Sequence, residues 1–289
     1  MQEGNACLLS EMTSLKPTTV ALGQFEPRVC DKDYNIKRME EQAAHAARSG
    51  CDLVIFPEMS LTGYVCRDLI YKLSEPLRGP SIDKLERIAR EHNLHIVLGM
   101  PEESGARGII HNSSVLLSPT GVVGAYRKMY LPTHSVFEEK RYFRPGHEIQ
   151  PFDTAIGNIG MLICYDLFFP EIARLLTVAG AQIIVCISAS PSGRRDYFET
   201  LTKARAIENS VFLAYVNLVG IEDGLQFWGG SHVLSPEGRL LTKGKYDEED
   251  LVFGRIDYED LPRSRTFLPT LKDLRPELFE SLREKVSKL

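Results

Sequence analysis

Four short stretches of the chain are apolar almost without interruption: residues 51–56 (CDLVIF), 159–163 (IGMLI), 182–187 (QIIVCI) and 211–216 (VFLAYV). Five or six such residues are too few for a buried helix. They also lack the alternation that would leave one face in water, so each reads as a strand covered on both sides. A chain with several such strands must supply helices to cover one face of a sheet and a further layer to cover the other.

The segments between the strands fit that demand. Residues 18–25 read as a first strand. Residues 34–48 carry apolar and alanine positions at helical spacing and stop at Gly50. A helix over 81–91, with Asp83 in its first turn, leads to a strand at 95–99. Residues 112–117 and 122–127 flank Ser118-Pro119-Thr120-Gly121 as a hairpin. The second half repeats these parts: a helix over 172–178 stopped by Ala179-Gly180, the strand at 182–187, a helix over 195–209 and the strand at 211–216. A second hairpin follows, 232–234 and 239–241 around Ser235-Pro236-Glu237-Gly238. This duplicated layout predicts an α/β fold, a four-layer α–β–β–α sandwich of two mixed sheets. No Pro/Gly/Ser-rich linker divides it, so residues 18–265 read as one domain, with 1–17 as a loose tail. Residues 266–289 form an arm ending in a helix over 276–288, with too few apolar residues for a core of its own. The arm and the apolar-rich helix after Cys164 predict a homodimer or larger homo-oligomer.

A chain of 289 residues buries about 75% of its unfolded surface, so it needs neither metal nor disulfide for a core. The net charge of −5 comes without a basic stripe, which argues against nucleic acid and anionic membrane surfaces as partners. Six cysteines include no CxxC pair, and seven histidines include no HExxH. His92 and His95 lack nearby ligands at zinc spacing. Neither metal nor cofactor is expected. Buried thiols, with no basic start or long apolar run at the N-terminus, make a cytoplasmic protein the expectation.

Three reactive side chains end strands. Glu58 follows residues 52–57, Lys128 follows 122–127, and Cys164 ends the 159–163 stretch just before a Pro170-opened helix. A thiol beside a helix N-terminus lies where backbone N–H groups favour a thiolate. A carboxylate, an ammonium and a thiol can together supply a base, an oxyanion partner and a nucleophile. Cys186, inside a uniformly apolar strand, reads as packing only.

The segments around these residues resemble the nitrilase superfamily of carbon–nitrogen hydrolases. They are Phe56-Pro57-Glu58-Met59-Ser60-Leu61-Thr62-Gly63-Tyr64, Tyr126-Arg127-Lys128-Met129-Tyr130-Leu131, and Ile163-Cys164-Tyr165-Asp166 with Phe169-Pro170-Glu171. Arg205-Ala206-Ile207-Glu208-Asn209 and Gly229-Gly230-Ser231 are similar to further family segments. The resemblance implies the four-layer sandwich, a Cys164–Glu58–Lys128 triad, and a second glutamate in the loop after the lysine. Alignment on Phe143-Arg144-Pro145-Gly146 favours Glu139 over Glu138 for that place.

The reaction implied is hydrolysis of a small amide. An N-carbamoyl compound is the alternative, a nitrile a weaker third, and a non-catalytic scaffold the reading from another class. A Cys–His hydrolase would have to use His134 or His232. Tyr64, Tyr165, Phe168 and Ser188 are the candidate substrate-binding residues. The positions just after Cys164 hold Asp166, Leu167, Phe168 and Phe169 and no arginine, which favours a neutral acyl group. The arginines nearest a rim loop are Arg194 and Arg195.

Overall fold

The structure, a computed structural model, describes residues 15–106 and 108–288. Two six-stranded sheets make its centre. The first has the order β14-β1-β2-β3-β4-β5, from β1 (Thr18–Gln24), β2 (Leu53–Ile55), β3 (His95–Glu103), β4 (Ile110–Ser118), β5 (Gly121–Arg127) and β14 (Asp250–Ile256). The second runs β13-β12-β9-β8-β7-β6, from β6 (Phe152–Thr154), β7 (Gly157–Ile163), β8 (Ile183–Ser188), β9 (Phe212–Asn217), β12 (His232–Leu234) and β13 (Leu240–Lys243). A separate hairpin joins β10 (Val219–Glu222) to β11 (Leu225–Trp228). Strands β1, β2 and β3 are parallel, as are β7, β8 and β9, and the flanking pairs are antiparallel. The duplication expected from the sequence is therefore present strand by strand.

Alternate side chains of the parallel strands face different layers. Val20, Leu22, Leu53, Ile55 and Val97 join one core with Ile159, Met161, Ile184 and Leu213 of the opposite sheet. Their neighbours Ala21, Val54, Ile96 and Leu98 pack with Ile36, Met39, Ile82 and Leu85 of the helices α1 (Lys32–Arg48) and α2 (Pro80–His92). On the other side, α3 (Pro170–Val178) covers β7 and α4 (Arg195–Asn209) covers β9. The central strands β2, β8 and β9 are apolar on both faces because each face meets a different layer.

The expected elements form with shifted ends. Asp31 caps α1 by accepting from the Tyr34 N–H at 3.1 Å, so the helix begins before residue 34. Pro80 takes the first turn of α2, where its missing N–H costs nothing. The helix α5 (Asp260–Phe267) spans the expected start of the C-terminal arm, and α6 (Pro276–Val286) forms near the chain end. Phe267, Leu278, Leu282 and Val286 there are exposed. Of the expected tail over 1–17, residues 1–14 lie outside the described residues. No helix among the described residues is long and apolar enough to cross a membrane.

One close approach positions the site. A Cβ on Gly99 of β3 would lie 2.7 Å from the Glu58 Cα and nearer still to the Met59 backbone N. Glycine there lets the turn after β2 rest directly on β3. Gly99→Ala should therefore displace the Glu58 turn and destabilise the fold by about 1–3 kcal/mol, the usual cost of overpacking. Urea denaturation checks this; an unchanged midpoint would contradict it.

Candidate active site

The C-terminal ends of β2, β5, β7 and β8 converge. Glu58 lies just beyond β2, Lys128 directly after β5, Cys164 directly after β7 and Ala189 directly after β8. The Glu58 carboxylate spans the two sheets. Its Oε1 accepts from Lys128 Nζ and from Asn112 Nδ2, each at 2.7 Å, and its Oε2 accepts from the Ala189 backbone N–H at 2.7 Å. Asn112, in β4, faces Lys128 across the ladder, where the Lys128 N–H donates to the Asn112 carbonyl at 2.8 Å.

Lys128 Nζ also donates to Glu139 Oε1 at 2.7 Å, and the Tyr64 hydroxyl donates to the same oxygen at 2.7 Å. Glu139 is buried whereas Glu138 is exposed, so it is Glu139 that meets the lysine. The loop carrying it is tied at both ends: Glu139 N–H donates to the Pro132 carbonyl at 3.1 Å, and Gly146 N–H donates to the Lys128 carbonyl at 2.8 Å.

These charges are out of water, and their ionisation follows. Burial alone would lower the Lys128 ammonium, but Glu139 and Glu58 outweigh it and hold the group well above the ordinary lysine range. Burial pushes Glu139 up to about 7; Lys128 pulls it down, and the Glu58 charge opposes that pull. The Cys164 thiol is pushed well above the ordinary range by burial and by the Glu58 charge, against a smaller pull from Lys128. The thiolate expected beside a helix terminus is thus not the resting form. A 3-10 turn over Cys164–Phe168 separates the cysteine from α3, and the charges of Glu58 and Glu139 both oppose a thiolate there.

Cys164 has φ +48°, a left-handed conformation that costs a non-glycine residue about 1–2 kcal/mol. Asp166 holds the turn in place. Its buried carboxylate accepts from the Ile163 N–H at 3.1 Å, the Tyr130 N–H at 2.9 Å and the Tyr126 hydroxyl at 2.9 Å. Burial pushes Asp166 up to about 6 even so. The strained turn aims Cys164, only 6% exposed, into a cavity of about 190 Å³. Tyr165, Phe168, Phe198, His134 and Arg194 are in its wall.

Of the expected substrate contacts, Tyr165 and Phe168 line this cavity. Tyr64 instead supports Glu139 and borders a neighbouring cavity of about 500 Å³. Ser188 is buried at the end of β8, its Oγ 3.7 Å from Cys186 Sγ. Burial pushes Cys186 up to about 12, consistent with a packing role. His232 is engaged elsewhere, with Nδ1 2.8 Å from the Gly230 carbonyl and Nε2 3.0 Å from Thr202 Oγ1, and burial pushes it down to about 4. His134 is exposed, its ring 5.2 Å from that of Tyr165. Asn112 escaped the sequence reading, although polar Asn112-Ser113-Ser114 inside a strand marks side chains that need buried partners. The Ala189 N–H leaves no trace in side-chain identity. Among the described residues no cluster of His, Cys, Asp or Glu could hold a metal.

The fold thus brings a buried thiol, two carboxylates and an ammonium together at the strand ends. The chain belongs to the carbon–nitrogen hydrolase family, whose pattern matches residues 19–265. Within it, the chain is 34% identical over 257 residues to an (R)-stereoselective amidase from a Pseudomonas species, covering 89% of this chain and 91% of that one. A nitrilase from Pyrococcus abyssi is 33% identical over 243 residues, covering 82% of this chain and 89% of that one. The crystal structure of an amidase from a Nesterenkonia species superposes with a TM-score of 0.80 at 28% identity, covering 92% of this chain and 96% of that one. Another structure of that amidase, a mutant, shows acrylamide added at its active-site cysteine. The chain is a hydrolase of the nitrilase superfamily, and its two mixed sheets are the fold of that superfamily.

The loop bearing Tyr64 is pinned from the β10–β11 hairpin. Glu222 Oε2 accepts from the Tyr64 and Val65 N–H groups, each at 2.8 Å, while its buried Oε1 has no hydrogen-bond partner among the described residues. Burial pushes this carboxyl up to about 7, and the two amides only temper the shift. A carboxyl raised from about 4.5 to about 7 by folding favours the folded state while protonated. That contribution is lost as pH rises through this window, by about 3 kcal/mol in full. Glu222→Gln should match wild type near pH 5 and be the more stable protein at pH 8, as read by urea denaturation. Greater stability of wild type at pH 8 would contradict this.

Proposed function

We propose that the chain hydrolyses the C–N bond of a small amide, releasing ammonia and a carboxylic acid, with Cys164 as nucleophile, Glu58 as general acid and base, and Lys128 as oxyanion partner. The observation that carries this reading is the buried Glu58–Lys128–Glu139 array on the thiol's side of the cavity. Because the resting thiol is protonated, attack requires a base at the moment of bond formation, and Glu58 is the acceptor whose charge Cys164 senses most strongly. As sulfur bonds to the carbonyl carbon, the oxygen gains negative charge. Lys128 Nζ and the Tyr165 N–H are the donors proposed for it.

Collapse of that intermediate expels ammonia, which leaves with the proton Glu58 received. The thioester then meets a water from which Glu58 takes a proton. Acid is released and the thiol is restored. Glu139 keeps the Lys128 ammonium in place and charged, and Tyr64 holds Glu139. The Nesterenkonia amidase supports the assignment of a cysteine nucleophile, since its active-site cysteine takes up acrylamide. A scaffold without chemistry is disfavoured by cost: burying an ammonium and two carboxylates contributes less to stability than apolar side chains of similar volume would.

Ammonia release measured across primary amides, N-carbamoyl compounds and nitriles tests the reading. Primary amides should be the best substrates, and Cys164→Ala should abolish turnover. Glu58→Gln should lose about 10²–10⁴-fold in kcat and show an acyl adduct on one cysteine by intact mass. Turnover surviving in Cys164→Ala would sink the proposal.

A further inference from the structure

We infer that the amide this site takes carries a carboxylate at the far end of its acyl chain, and that Arg194 is the residue that selects it. The substrate class is therefore a short monoamide of a dicarboxylic acid. The inference rests on the amide reading above and contradicts the neutral acyl group expected from the residues that follow Cys164.

The two rim arginines, adjacent in sequence, diverge in space. Arg195 turns outward: its guanidinium lies 4.9 Å from the Tyr246 ring centroid, and its Nε lies 3.8 Å from Asp196. Arg194 lines the Cys164 cavity. Its guanidinium lies 5.8 Å from the ring centroid of Tyr197, another residue of the cavity wall. Among the described residues no carboxylate pairs with Arg194, whereas its neighbour Arg195 has Asp196 beside it. The arginine is anchored at its backbone, where its N–H donates to the Pro191 carbonyl at 2.9 Å.

The rest of the wall is aromatic or proline apart from Cys164 and His134, and it contains no acidic side chain. A half-buried guanidinium facing such a wall has its hydrogen-bonding fork unspent, and a carboxylate matches that fork with two parallel bonds. The position along the substrate also follows. The reacting end lies beside Glu58 and Glu139, whose charges repel an anion, so the carboxylate belongs away from them, at the arginine that lines the same cavity. With about 190 Å³ to share, roughly six water-sized volumes, the spacer between amide and carboxylate is only a few methylenes long. The reaction is then monoamide plus water giving dicarboxylate plus ammonium. An acyl chain ending in an ammonium would be repelled at the same place.

Binding and turnover separate this inference from the reading beneath it. Glutaramate and its neutral diamide, glutaramide, differ at the far end only. Calorimetry with Cys164→Ala protein, which needs no chemistry, should show glutaramate binding about 10- to 100-fold more tightly, the worth of hydrogen bonds to a charged group. The advantage should shrink toward parity in Cys164→Ala/Arg194→Gln, survive in part in Cys164→Ala/Arg194→Lys, and weaken with salt. In the active enzyme, the ratio of kcat/KM for the two amides should fall in parallel on Arg194→Gln. Equal binding of the two compounds, or an advantage that persists without Arg194, would overturn the inference. Release of ammonia from glutaramide alone would uphold the amide reading and refute carboxylate selection. Tight binding of glutaramate with no ammonia from either compound would uphold the anion site and refute the amide reading.

Discussion

Lys128 sits fully out of water with its ammonium between two carboxylates, and most of the site's geometry is what that burial requires. An isolated charge in such a place would be neutralised or expelled. Lys128 stays because Glu58 and Glu139 each come within 2.7 Å, and each carboxylate in turn needs donors of its own. Asn112 and the Ala189 N–H serve Glu58, and Tyr64 serves Glu139. Glu222 then holds the backbone that carries Tyr64. The chain of partners runs from β4 through both sheets to the β10–β11 hairpin, so one buried cation organises elements far apart in sequence.

The same array sets the character of the cysteine. Its neighbours include two acids and one base, and burial adds to their effect, so the thiol keeps its proton at rest. Oxidation proceeds through the thiolate, and a protonated, nearly inaccessible cysteine is protected from it. In the proposed mechanism, reactivity then depends on a substrate that fills the cavity and on a base already in place. The left-handed turn at Cys164, held by three donors to Asp166, keeps the sulfur aimed at the cavity without letting it settle into the strand below.

The layered architecture was legible because strands buried on both faces read as apolar runs too short for a buried helix. Glu58, Lys128 and Cys164 were legible as polar or ionisable side chains at strand ends, and Glu139, from its place before Phe143-Arg144-Pro145-Gly146, as the glutamate that meets the lysine. What escaped depended on partners distant in sequence. Strand β14 alternates over only a few residues, and its pairing with β1 joins opposite ends of the domain. The ionisation of Cys164 depends on two glutamates supplied by other strands and loops. Arg194 and Arg195 are equivalent in a sequence, and only the path of the backbone turns one inward. The β10–β11 hairpin did carry a local signal: Asp223-Gly224, both at positive φ, is the pair that a tight two-residue turn prefers.

Lys128 and Glu58 are held in the interior by each other. A double-mutant cycle in urea, with Lys128→Met, Glu58→Gln and the two combined, measures that dependence most directly. Lys128→Met alone leaves carboxylates buried without their cation and should cost about 3–5 kcal/mol. Adding Glu58→Gln removes one of the stranded charges, so the combined variant should be more stable than Lys128→Met alone. Effects that simply add, within about 0.5 kcal/mol, would show the two residues to be independent and contradict the account.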